Sequence, residues 1–322
     1  MLTEAKMNEL TTTRHNELID PFVHVWGWEI PVYLFLGGLV AGMMIIAGYF
    51  FIKGRDEGHK CICYQIPLLA MVLLSLGMFA LFLDLEHKAY VWRVYTTFEI
   101  KSPMSWGSWI LLLVYPALLV NFLLHVPAWI GDRLPFLNHG SRMIRSIKNI
   151  KRHVGKVNLV LGIMLGTYTG ILLSALGARP LWNSAILGIL FLVSGLSTAS
   201  ALVHMIARER EESEMLARAD NLFLTIELFI IALFFIGLLS STEVQIRSAM
   251  LLLTGPYAAV FWVFVILMGI VVPLFIQNLS VSHRIKHTPV APVMVILGGF
   301  ILRFVLVQAG QYSHYLNAHF IK

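Results

Sequence analysis

The stretch WGWEIPVYLFLGGLVAG, Trp26 to Gly42, decides the fold. Two Trp, an acid and a Pro stand at the mouth of an apolar run that continues to Phe51 and turns small at Gly37, Gly38 and Gly42. At about 1.5 Å per residue, Ile30 to Phe51 is long enough to cross roughly 30 Å of hydrocarbon. Trp belongs at the interface of a bilayer, and glycines let a neighbouring helix approach where lipid gives no hydrophobic drive. The run is also too long and starts too late for a cleaved signal peptide, whose apolar region is about 7 to 15 residues. It is expected to remain as the first membrane span.

Seven further apolar runs follow, at 64–83, 106–126, 157–176, 185–206, 222–239, 257–276 and 290–309. With 58% hydrophobic and 13% charged residues and a mean hydropathy of +0.77, the chain lies outside the range of water-soluble domains. Lipid tolerates no open sheet edge, and a barrel would need short alternating segments, so the spans are predicted to be helical. The expectation is an all-α integral membrane protein of eight helices. Small residues at close-packing spacing in helix 1 (Gly38, Gly42) and helix 4 (Gly162, Gly166, Gly170) predict one bundle of helices 1–4, about 30–176. The hydroxyl-rich SGLSTAS of helix 5 (Ser194 to Ser200) predicts a second bundle of helices 5–8, about 185–309. Residues 1–29 are read as an extracytoplasmic segment and 30–322 as one membrane domain.

Lys and Arg set the orientation. Fifteen lie in the loops after helices 1, 3, 5 and 7, among them Arg142, Arg145, Lys148, Lys151, Arg152 and Lys156, against eight on the opposite side. The positive-inside rule then places both termini outside, and a pI near 9.3 reflects topology and anionic lipid rather than nucleic acid. The two cysteines, Cys61 and Cys63, fall at the cytoplasmic start of helix 2 and lack CxxC spacing, which predicts reduced thiols and no iron–sulfur cluster.

On that orientation, four helices bring polar groups to the outer leaflet. Helix 1 begins with His24, Trp28, Glu29 and Pro31, helix 2 ends at Asp84, helix 3 follows Ser102-Pro-Met-Ser-Trp-Gly-Ser-Trp109, and helix 4 passes Tyr168 and Thr169. Tyr168 stands about 12 Å below the outer boundary at Leu176. A lone acid at a helix end snorkels and a lone Trp joins the aromatic belt. A convergence of them suits an amphiphile with a small polar head, and a quinone fits: it needs donors for its carbonyl oxygens, an apolar slot and groups that move protons. A neutral phenol at Tyr168 donates without adding charge, and His24 titrates near neutrality.

The stretches GWEIPVYLFLGGLVAG (27–42), LFLDLEH (81–87) with SPMSWGSW (102–109), YTGILLSALGARPLW (168–182) and LFLVSGLSTASALVH (190–204) resemble the NrfD-like family, which includes the membrane subunit of polysulfide reductase. The resemblance implies a haem-free subunit of two four-helix bundles in a bacterial or archaeal cytoplasmic membrane. It implies exchange of electrons between menaquinone or ubiquinone and a ferredoxin-like iron–sulfur subunit docked outside, with a molybdopterin enzyme or multihaem cytochrome c beyond. The implied quinone residues are Tyr168, His24, Trp28 and Glu29, with Asp84 in the matching segment after helix 2. Glu86, His87 and Lys88 depart from the family pattern. Buried ionisable or polar groups that would serve proton movement are Glu227, Arg303, Asn121 and His204, of which Glu227 and Arg303 are also expected to form a structural pair. Three other readings stay open: a haem b subunit, which needs facing His ligands not found deep in the spans; a transporter, which favours broken helices at the midplane; and a passive membrane anchor without a redox site.

Overall fold

A computed structural model describes residues 26–54, 65–207, 210–281 and 289–314; His24, Cys61 and Cys63 lie outside them. The helices are α1 (Glu29–Lys53), α2 (Ile66–Asp84), α3 (Trp92–Thr96), α4 (Pro103–Leu124), α5 (Ala128–Gly131), α6 (Pro135–Arg145), α7 (Ile150–Ser174), α8 (Ile186–Ile206), α9 (Arg210–Leu239) and α10 (Glu243–Leu253). A π-helical stretch, Val260–Val271, then runs into α11 (Val272–Val281), and α12 (Val290–Tyr312) closes the order. Among the described residues there is no strand, and eight helical segments are long and apolar enough to cross a membrane. The protein is an all-α, multi-pass membrane protein.

Two helix starts differ by more than three residues from those expected. α7 begins at Ile150 rather than 157, and α9 at Arg210 rather than 222. Hydropathy marks where hydrocarbon begins, whereas the helix continues into water through Lys, Arg and Glu, which are good helix formers. At the other boundaries, Pro67, Pro103 and Pro135 occupy the first turn of α2, α4 and α6, where a missing N–H costs nothing.

α1 is the axis of the molecule, and it packs on α2, α7, α8 and α12. α7 packs on α8 as well, so the first four spans and the last four are joined along two helices rather than standing apart. Glycine makes the joint possible: a Cβ at Gly42 would collide with the Gly195 carbonyl, so α1 and α8 approach backbone to backbone. The SGLSTAS segment of α8 serves three neighbours at once. Gly195 faces α1, Thr198 packs against Gly299 of α12, and Ser197 bonds to Asp220 of α9.

Candidate functional site

The alternation of spans puts the start of α1, the end of α2 and the start of α4 on one face, the Glu29 face. Just beneath it lies a cavity of about 340 Å³ among α1, α2, α3, α4 and α7. Its lining is mostly apolar, with Phe79, Phe82, Leu111 and Leu172 among the contributors. Five hydroxyls break that lining: Tyr33 on α1, Ser75 on α2, Tyr95 on α3, Ser108 on α4 and Tyr168 on α7.

Each hydroxyl has a structural reason for its place, and Ser75 Oγ donates to the Met71 carbonyl of its own helix at 2.8 Å. Tyr168 is 5% exposed, and a Cβ at Gly107 would collide with its phenol, so the glycine of the SPMSWGSW stretch is the cradle in which Tyr168 lies. Tyr33 is 2% exposed and adjoins Tyr168 closely enough for a side-chain hydrogen bond between the phenols. It sits four residues after Glu29, on the same helix face.

Tyr95 belongs to the segment that the serines of SPMSWGSW tie down. The Ser105 hydroxyl donates to the Thr97 carbonyl (3.2 Å) and accepts from the Glu99 N–H (3.0 Å). Ser108 Oγ reaches the Val94 and Ser105 carbonyls, both at 2.8 Å, and Trp106 Nε1 donates to the Ile100 carbonyl at 2.8 Å. Burial, with Tyr115 beside it, pushes the Tyr95 phenol up from its ordinary value, which keeps it a neutral donor. With its own hydrogen committed to a carbonyl, Ser108 offers the cavity an acceptor.

Of the residues that the sequence singled out, Tyr168 lines the cavity. Glu29 and Asp84 are half-buried at the Glu29 face, near enough to interact electrostatically, yet neither belongs to the lining. Trp28 is 55% exposed and is likewise not a lining residue; the slot is walled by Phe79 and Phe82 instead. Its neighbour Trp26 stacks on Trp182 with ring centroids 5.3 Å apart, and Gln311 Nε2 donates to the Trp26 carbonyl at 3.0 Å.

A second concentration of polar groups lies in the seam of α8, α9, α11 and α12. Arg303 is fully buried: Nη1 donates to Ser194 Oγ (3.1 Å) and the Gly299 carbonyl (2.7 Å), and Nη2 to the Phe191 carbonyl (3.1 Å). Its guanidinium carbon also stands 5.2 Å from the Phe191 ring centroid and 5.7 Å from that of Phe35. Glu227 reaches the same Ser194 hydroxyl, so the acid and the arginine are joined through a serine. Two turns earlier on α9, Asp220 accepts from Ser197 Oγ (2.9 Å) and Gln277 Nε2 (2.7 Å) and has no exposure. His204 is buried at the far end of α8. Asn121 is not part of this seam; its Oδ1 accepts from Asn158 Nδ2 at 2.7 Å, pairing α4 with α7.

Reasoning from sequence passed over Tyr33, Tyr95, Ser108 and Asp220. Tyr33 carried a usable signal, its i+4 relation to Glu29. Tyr95 carried none, because loop folding brings it in.

The NrfD polysulphide reductase family model matches residues 12–313. A polysulfide reductase polypeptide of Wolinella succinogenes is 31% identical, over 89% of the present sequence and 94% of its own length. Protein NrfD of Escherichia coli is 29% identical, over 89% and 95%. A selenate reductase subunit of Mesobacillus selenatarsenatis is 25% identical, over 88% and 73%.

Proposed function

The chain belongs to the NrfD polysulphide reductase family, and from that premise we propose that it binds quinone or quinol in the tyrosine-lined cavity and passes electrons between that ligand and an iron–sulfur partner. As a membrane subunit of a reductase-type complex it depends on other subunits for the terminal reaction. The observation that carries the quinone reading is the set of hydroxyls in an otherwise apolar slot: the deeply buried Tyr168 and Tyr33, with Tyr95, Ser108 and Ser75. The set offers neutral donors for a carbonyl oxygen and an acceptor for a quinol hydroxyl, without placing charge in lipid.

A bound quinol supplies two electrons and two protons on oxidation. Tyr168 holds the oxygen of the head in place, and Tyr33 orients the Tyr168 hydroxyl from behind. Glu29, one turn from Tyr33, and Asp84 beside it take protons on toward the water of the Glu29 face. That face is extracytoplasmic on the charge argument, in a bacterial or archaeal inner membrane. The partner is a ferredoxin-like iron–sulfur subunit docked there, with a molybdopterin enzyme or multihaem cytochrome c beyond it.

Proton movement across the membrane is the finer part of the same proposal. Asp220 and Glu227 on α9, Ser194 on α8 and Arg303 on α12 form a buried polar row, with His204 toward the opposite face. Asn121 stands apart from the row and has no role in it. Quinol-driven pH change on the side opposite the Glu29 face in proteoliposomes tests the row, and Asp220→Asn is expected to abolish that change; a wild-type complex that turns over with no pH change on that side contradicts it.

The experiment for the quinone reading is turnover of the purified complex with menaquinol, comparing wild type with Tyr168→Phe. Loss of one hydrogen bond at the reacting head is worth about 1–1.5 kcal/mol, or roughly tenfold in rate. The expected result is a fall of about tenfold with subunit assembly unchanged. Unaltered turnover contradicts the assignment and favours a passive anchor.

A further inference from the structure

The cavity has a mouth, and the mouth faces lipid. α2 and α4 touch where the Ser75 and Tyr115 hydroxyls stand 3.3 Å apart. From that contact α2 runs about 14 Å further, to Asp84 at the Glu29 face. Over the same depth both helices contribute to the lining, Phe79 and Phe82 from α2, Met104 and Ser108 from α4. The two helices therefore meet at the Ser75–Tyr115 level and part above it. α3 closes the gap at the top, where Val91, Val94 and Tyr95 join the lining.

The result is a window with a hydroxyl sill, two helical jambs and a lintel made by α3. At its rim Phe79, on α2, is 57% exposed and Met104, in the first turn of α4, is 52% exposed, on two helices long and apolar enough to cross a membrane. The back wall, Tyr33 and Tyr168, is nearly sealed from solvent. Polarity thus rises from mouth to back.

Resting on the quinone reading above, we propose that this window between α2 and α4 admits the ligand sideways from the bilayer, head first, and that its isoprenoid tail stays in the gap between Phe79 and Met104. The apolar rim selects a head with a long chain over a water-soluble substrate, because a chain left in the gap keeps its contact with lipid and side chains while the head is hydrogen-bonded. Phe79 and Met104 are therefore specificity-determining residues that touch the tail and not the reacting head.

The test uses the assembled complex carrying Phe79→Trp with Met104→Trp, assayed with a long-chain menaquinol and with tail-less dimethylnaphthoquinol. The proposal expects the apparent KM for the long-chain quinol to rise at least tenfold, while that for the tail-less one stays within twofold. Equal losses for both, or no change in either, overturn it. A wild-type complex that oxidises neither quinol overturns the quinone reading itself, and the window with it. A second measurement does not depend on the tolerance of the double variant: a photoreactive residue at Phe79 should crosslink to a menaquinone tail, and excess long-chain menaquinone should compete that adduct away. The same residue at Phe229, exposed on α9, should show no such competition. Absence of a competed adduct at Phe79 is equally contrary to the proposal.

Discussion

The tyrosine cavity and the Arg303 seam are both polar regions inside an apolar protein, and they use their polarity in opposite ways. In the seam, donors and acceptors face one another: Arg303 meets Ser194 and two carbonyls, and Asp220 meets Ser197 and Gln277. In the cavity, hydroxyls face open volume. Hydrogen-bonding groups in lipid are costly unless satisfied. Groups satisfied by their own chain hold helices together, and groups turned to a void are kept for something that arrives. Depth and residue type alone do not separate the two cases, which is why Glu227 and Arg303 look as much like a ligand site as Tyr168 in a sequence.

The contrast breaks first, and hardest, at Arg303. Arg303→Met removes the cation and leaves Glu227 buried beside Ser194, a change worth about 3–5 kcal/mol when one member of a buried pair is lost. The expected outcome is a sharp fall in the amount of folded subunit and in its thermal midpoint in detergent, partly restored by adding Glu227→Gln. Normal accumulation of the single variant would mean that the seam is not structural.

At Gly107 the expectation inverts. Gly107→Ala puts a methyl group where the Tyr168 phenol lies, so quinol turnover should drop at least as far as in Tyr168→Phe, while α1, α7 and α8 keep their packing and the melting temperature moves little. A change confined to stability would deny Tyr168 its place in turnover. Tyr33→Phe, which touches the cavity through Tyr168, should give a smaller loss, a few-fold in turnover, readable as a change in kcat at unchanged KM. The smallest effect belongs to Ser197→Ala. Interhelical hydrogen bonds within membranes average about 0.6 kcal/mol, so the melting temperature should fall slightly and quinol turnover hold.

The sequence made the fold legible because hydrocarbon imposes a length. All eight spans were readable from apolar runs, and the glycine spacing of Gly38 and Gly42 on α1 announced a close neighbour. The expected neighbour lay within helices 1–4, whereas Gly38 and Gly42 meet Gly195 on α8, one of several small-residue faces open to them. For the site, Tyr168 was readable from its stretch and depth. Tyr95 was not, because it reaches the cavity only after Ser105, Ser108 and Trp106 have drawn residues 94–100 onto α4 through three backbone carbonyls and the Glu99 N–H, bonds that leave no trace in composition. Trp28, conspicuous in sequence, faces outward instead, as an interfacial Trp does.

The most direct test is an experimental structure of the complex with long-chain menaquinone bound. The account predicts density for the head between Tyr168 and Ser108, with the chain leaving past Phe79 between α2 and α4. A head group bound instead in the apolar groove of about 410 Å³ between α4 and α7, beside Asn158, would contradict it.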